Sequence, residues 1–194
     1  MTEMHYTLQL NAKVQPLDRG DIFEDPISEV LEKMDLGEVD GGGSLLDGEG
    51  GIQYCDVEIY LKDGSEENRK KLLEILEKFP IPKGSFLKYF PDEESDEMIE
   101  IPVGNLECIC LSLNGFELDD EVYKNSDINK VIDDLIENFN KKDENLFKYF
   151  GYAVREKYTD LYFYGTSFEE MKKIVEEYVP TYPLCEKSII KKEN

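Results

Sequence analysis

Residues 57–82 set out a pattern that the chain repeats near its other end. Val57, Ile59 and Leu61 alternate with Glu58, Tyr60 and Lys62; Gly64-Ser65 breaks the run; Lys70-Lys71-Leu72-Leu73-Glu74 then leads to Pro80 and Pro82. Later, Leu161-Tyr162-Phe163 passes through Gly165-Thr166-Ser167 into Lys172-Lys173-Ile174-Val175-Glu176 and ends at Pro180 and Pro183. Two earlier segments match in the same order. Leu8-Gln9-Leu10-Asn11-Ala12 is echoed by Leu111-Ser112-Leu113-Asn114-Gly115, and Ile27-Ser28-Glu29-Val30-Leu31-Glu32 by Ile128-Asn129-Lys130-Val131-Ile132-Asp133. An internal repeat constrains a fold more than an isolated motif does, because every copy must build the same supersecondary unit. A length of 194 residues suits two units, each of roughly 90 to 100 residues.

Each copy spells out its elements. Tyr6, Leu8, Leu10, Ala12 and Val14 alternate with polar residues, the period of a half-buried strand. A polar loop with Pro16 and Asp18-Arg19-Gly20 follows, and Ile27, Val30, Leu31 and Met34 then recur at helical spacing from Pro26 until Gly37. A glycine-rich hairpin comes next. Its first arm starts at Gly37 and is interrupted at residues 41–43, and its second, over residues 52–61, sets Cys55, Val57, Ile59 and Leu61 against Tyr54, Asp56, Glu58 and Tyr60 on the opposite face. Ser65 opens a helix with Leu72, Leu73, Leu76 and Phe79 on one stripe, and residues 85–90 close the copy as a short strand. In the second copy Ser126 or Asp127 caps a helix from Ile128, residues 147–156 and 159–165 form the hairpin, Ser167-Phe168-Glu169-Glu170 is a capping box, and residues 187–191 are the last strand.

The order is strand, helix, strand, strand, helix, strand, twice. Two strand-helix-strand crossovers joined by a hairpin resemble the ferredoxin-like split topology. The sequence therefore predicts an α+β protein, a tandem duplication of a ferredoxin-like βαββαβ unit with antiparallel sheets and helices on one face. Residues 1–90 form the first half and residues 105–194 the second. Residues 91–104, with Asp92-Glu93-Glu94-Ser95-Asp96-Glu97, read as an acidic linker that partly orders as an edge.

Charge narrows the partners. Forty-four acidic against 22 basic residues give a net charge of -22, a field that repels phosphate backbones and anionic lipid and speeds encounter with a basic protein. No direct nucleic-acid or membrane partner is expected. The start, Met1 to Tyr6, has no basic region followed by an apolar run, and no stretch approaches bilayer length, so a cytoplasmic protein is expected. Cys55, Cys108, Cys110 and Cys185 are too few for a disulfide scaffold, and Cys108-Ile109-Cys110 is too tight for a redox or zinc motif.

No residue set points to catalysis. His5 is the only histidine and sits near the terminus, which leaves no Cys-His or Ser-His pair and no zinc site. Gly41-Gly42-Gly43-Ser44 lacks the GK[ST] ending of a phosphate loop and is crowded by Asp40, Asp47 and Glu49. Acylphosphatases share this fold type and bind phosphate with an arginine after the first strand, where Arg19 lies, but the glycine-rich setting is absent and acids surround the arginine. The reading is no enzyme, no cofactor and no metal.

The halves differ in their aromatics. Phe147, Tyr149, Phe150, Tyr152, Tyr158, Tyr162, Phe163 and Tyr164 crowd the second hairpin, and alternation sends Tyr162 and Tyr164 away from the helices. Either this face is open for a partner or the sister half covers it as a sheet-to-sheet core. In size, acidity and lack of a catalytic set the chain is similar to bacterial immunity proteins that neutralise polymorphic toxins. That resemblance implies an acidic surface plugging a basic toxin, with Tyr158, Tyr162 and Tyr164 as anchors and Glu156 and Asp160 as steering charges. The alternatives are an ACT-like regulatory pair binding a small molecule near Asn11, Asn114 and the loop after the first strand, and a housekeeping interaction protein. Oligomeric state is left open.

Overall fold

The first strand, β1 (Met4–Leu10), buries Tyr6, Leu8 and Leu10 and turns His5, Thr7 and Gln9 the other way. The stretch after it, which reads as a polar loop, is instead helical: α1 (Pro16–Arg19), a π-helical turn (Gly20–Glu24) and α2 (Asp25–Lys33) run on without a break. Pro26 explains the π turn. A proline ring inside a helix displaces the carbonyl four residues back, and the wider turn absorbs that clash, with the Asp25 N–H reaching the Gly20 carbonyl. The turn carries no clean apolar period, since Leu17 is 86% exposed while Phe23 and Arg19 are buried.

Strand β2 (Gly37–Leu46) pairs antiparallel with β3 (Ile52–Leu61) and includes the triglycine that the sequence reading treats as an interruption. A bulge between Val39 and Gly42 holds it there. Gly42 is required by close approach, because a Cβ would stand 2.1 Å from the Asp56 carbonyl oxygen. Helix α3 (Glu66–Leu76) is capped by Ser65, whose hydroxyl accepts from the Asn68 N–H, and buries Leu72, Ile75 and Leu76. Strands β4 (Ser85–Tyr89) and β5 (Ile99–Val103) complete a five-stranded sheet in the order β2-β3-β1-β4-β5. Part of the stretch read as a linker is thus a strand, paired along its length with β4; Asp92, Glu93 and Glu94 lie outside the described residues.

The second sheet is built from β6 (Glu107–Asn114), then α4 (Asp120–Asn125) and α5 (Ile128–Asn140), the hairpin β7 (Phe147–Val154) and β8 (Tyr158–Gly165), α6 (Phe168–Tyr178) and β9 (Ile189–Glu193). Asp127 caps α5 and Ser167 caps α6 through their side chains. The strand order is β7-β8-β6-β9. Counted within each copy, both sheets place the hairpin strands second-third, then the first, then the last. That order, antiparallel throughout, is the ferredoxin-like arrangement, made twice.

The chain divides into two units, Met1–Leu46 with Ile52–Asn105, and Asp47–Gly51 with Leu106–Asn194. The structure, a computed structural model, describes residues 3–91, 95–142 and 147–193. The second unit's core gathers Ile109, Leu111, Leu161 and Phe163 from the sheet with Val131, Leu135, Met171 and Val175 from the helices. Among the described residues no helix is long and apolar enough to cross a membrane.

Candidate functional site

The strand face turned away from the helices is furnished in opposite ways by the two copies. On β8, Tyr158, Asp160, Tyr162 and Tyr164 share that face, opposite Leu161 and Phe163 in the core. The expectation of an open tyrosine face is corrected here. Tyr162 is 3% exposed, Tyr164 is fully buried and Asp160 is 6% exposed, while only Tyr158 and Glu156 reach solvent. Tyr164 packs on Phe150 with ring centroids 4.5 Å apart.

Asp160 is buried because its bonds are made internally. The Ser112 hydroxyl donates to its Oδ1 at 2.5 Å, and Arg155 Nε and the Tyr162 hydroxyl donate to its Oδ2 at 3.1 and 3.4 Å. Arg155 Nη2 donates to the Tyr162 oxygen at 3.1 Å, and Nη1 lies 2.6 Å from Asp47 Oδ2, a charge contact rather than an aligned hydrogen bond. Burial opposes the Asp47 charge, but the Glu49 and Gly51 N–H groups and the guanidinium outweigh it and hold the carboxyl at about 2. Burial also raises the Tyr162 phenol above its ordinary value, against the bond from Arg155. A buried carboxylate already holding three donors is not presented to a partner, so this cluster organises the sheet.

The first sheet carries the opposite chemistry. β3 turns Tyr54, Asp56, Glu58 and Tyr60 to its outer face, beside His5, Thr7 and Gln9 of β1 and Phe86 and Lys88 of β4, all exposed or half-buried. Glu58 Oε2 receives the Thr7 hydroxyl at 2.9 Å and lies 2.5 Å from His5 Nε2. The His5 ring stacks on Tyr60 at 4.7 Å, so this histidine is a fixed member of the face and not a frayed end. Lys88 pairs with Glu100 at 2.7 Å. Asp56 is different. Burial raises its carboxyl above the ordinary range despite a bond from Gln9, and its Oδ1 is shut from solvent with no hydrogen-bond partner among the described residues. The face thus presents two tyrosines, two neighbouring carboxylates and one oxygen whose desolvation is uncompensated.

Arg19 has the place of an acylphosphatase arginine but not its freedom. It is 7% exposed, its Nε bonds Glu24 at 2.5 Å, and its Nη1 bonds the Gly43 carbonyl at 2.7 Å and the Ser44 hydroxyl at 2.8 Å. It clamps the π turn to the bulged strand, and the glycine-rich segment meets it with acceptors rather than with the donors an anion needs. The four cysteines are buried and none is joined in a disulfide, and burial pushes the Cys55, Cys110 and Cys185 thiols to about 12, far from reactive thiolates. Among the described residues no group of three or more His, Cys, Asp or Glu side chains is arranged to hold a metal.

The alternation 54, 56, 58, 60 was the available signal for the first face, and its acids, not its aromatics, mark it. No family model matches the chain, and no curated protein does. Among solved structures the chain is similar to the first two RRM domains of the yeast poly(U)-binding protein, at 13% identity over 98% of this chain and 99% of that one, with a TM-score of 0.24.

Proposed function

We propose that this protein is a non-enzymatic binding module that engages a basic protein surface through the open face of its first sheet. The observation that carries the reading is the Tyr54-Asp56-Glu58-Tyr60 row, with its unpartnered Asp56 oxygen, on a chain of net charge -22. A cationic side chain placed over that row would meet the combined charge of Asp56 and Glu58, beyond the bonds they already take from Gln9, Thr7 and His5, while the two phenol rings supply amphipathic contact area at little entropic cost. The cost of desolvating Asp56 is already met in the free protein, which is preorganisation. The long-range field raises the encounter rate and makes it salt-dependent.

Neutralisation of a basic toxin by an immunity protein is the specific case this chemistry fits. The test is capture of partners from the native cell lysate with the wild-type chain and with Asp56→Asn/Tyr60→Ala. A basic protein held by the wild type, released at high salt and not held by the variant is the expected result. Equal capture by both, binding of single-stranded RNA instead, or stabilisation by a metabolite alone overturns the reading.

A further inference from the structure

On the other side of the same sheet, a groove of about 600 Å³ runs between α3 and β5. It arises from the sheet's width. Each strand adds about 4.8 Å, and β5 carries the sheet past α3, so Ile99, Ile101 and Val103, on the helix side with buried Leu87, are only half covered. Leu73 and Phe79 form the facing wall, also half-buried. The end of the groove is fixed: the Asn105 N–H donates to the Ile81 carbonyl at 3.0 Å, and Gly104 passes so close that a Cβ would stand 2.3 Å from the Pro82 carbonyl oxygen. This is a preformed groove with an apolar floor and walls of Leu73, Leu76, Phe79, Ile101 and Val103 and a polar margin at Glu77 and Asn105.

We propose that the groove receives a cationic amphipathic helix from a partner protein. Charge chooses the occupant. Glu77 is the one charged residue in the lining, exposed Glu74 follows Leu73 on α3, and exposed Asp96 and Glu97 stand just before β5. Apolar side chains at helical spacing would fill the channel while lysines or arginines on the flanks meet this acidic rim. Edge pairing by an incoming strand is the poorer fit, because Pro102 removes an N–H from β5, whereas the apolar side chains of β5 already point to the groove. The proposal goes beyond the open-face reading, since it assigns a second surface on the opposite side of the sheet.

The experiment uses the full chain and a labelled four-turn helix of leucine and lysine, with a scrambled peptide of equal composition as control. Backbone amide shifts are mapped by NMR, and affinities are measured for the wild type, Ile101→Lys, Glu77→Lys and Tyr60→Ala. The expected result is saturable binding of the amphipathic peptide, shifts on α3 and β5, a loss of about tenfold or more in both groove variants and no change in Tyr60→Ala. Equal binding of the scrambled peptide, or shifts confined to β1 and β3, overturns the groove. Loss of affinity in Tyr60→Ala alone would remove the groove and leave the open-face reading standing. Glu77 is exposed, so its variant keeps the test valid even where Ile101→Lys weakens folding.

Discussion

The two sheet faces turned from the helices occupy equivalent positions in the two copies and are made of different matter. In the first, Tyr54 and Tyr60 alternate with Asp56 and Glu58, and the row stays half-exposed. In the second, Tyr162 and Tyr164 alternate with only Asp160, and the neighbouring strands add Cys108, Cys110, Ser112 and Phe150, all buried. A tyrosine is amphipathic enough to serve either as core or as contact, and its cross-strand company decides which. In the second sheet the intervening acid is satisfied by Ser112, Arg155 and Tyr162 and the row is buried; in the first, Asp56 Oδ1 has no hydrogen-bond partner among the described residues and the row is half-exposed.

Truncation separates the faces most strongly. Tyr164→Ala should cost about 3 to 5 kcal/mol by urea unfolding, as for a large buried aromatic, while Tyr60→Ala should cost less than about 1 kcal/mol, as at the surface; similar losses would erase the distinction. Next comes the buried charge cluster. Asp160→Ala leaves Arg155 with Asp47 as its one carboxylate and takes the acceptor from Ser112 and Tyr162, which should cost about 1 to 3 kcal/mol, with Asp160→Asn intermediate, and a neutral result would mean the cluster holds nothing.

A smaller effect follows from pH. Burial raises the Tyr162 phenol above its unfolded value near 10. Its contribution is therefore complete below about 10 and is lost as pH rises through the folded value. Stability should fall on the alkaline side, and Tyr162→Phe should flatten that fall; an unchanged slope would count against the assignment. Asp56, also raised by burial, is smallest and opposite in use. Its ionised form weighs against folding at neutral pH, a penalty removed as pH falls toward the unfolded value of about 4. Asp56→Asn should thus raise the melting temperature slightly at pH 7 and not in acid, while weakening capture of the basic partner. A variant that is less stable at pH 7 would contradict the account.

Much of this architecture was legible because it rests on local pattern. The period-two alternations of Leu8-Leu10 and Val57-Ile59-Leu61, the cap residues Ser65, Asp127 and Ser167 and the duplicated Lys-Lys-x-x-Glu helices each fix an element without reference to the rest. The helical turns at Pro16 to Glu24 escaped because Pro16, Pro26 and an exposed Leu17 hide their period, whereas the partial edge expected within residues 91–104 is β5, whose bounds and pairing with β4 the acidic approach did not mark. Which of the two faces turned from the helices is wet was not legible at all. Burial of the second row goes with donors that reach Asp160 from Ser112, 48 positions away on β6, and from Arg155 across the hairpin turn, and local pattern marks neither.

The most direct test is tyrosine nitration followed by peptide mass spectrometry, on the free protein and on its complex with the captured basic partner. The account requires Tyr54 and Tyr60 to react in the free chain and become protected in the complex, with Tyr162 and Tyr164 unreactive in both. Tyr164 reacting as fast as Tyr60, or Tyr54 and Tyr60 remaining reactive once the partner is bound, would contradict it.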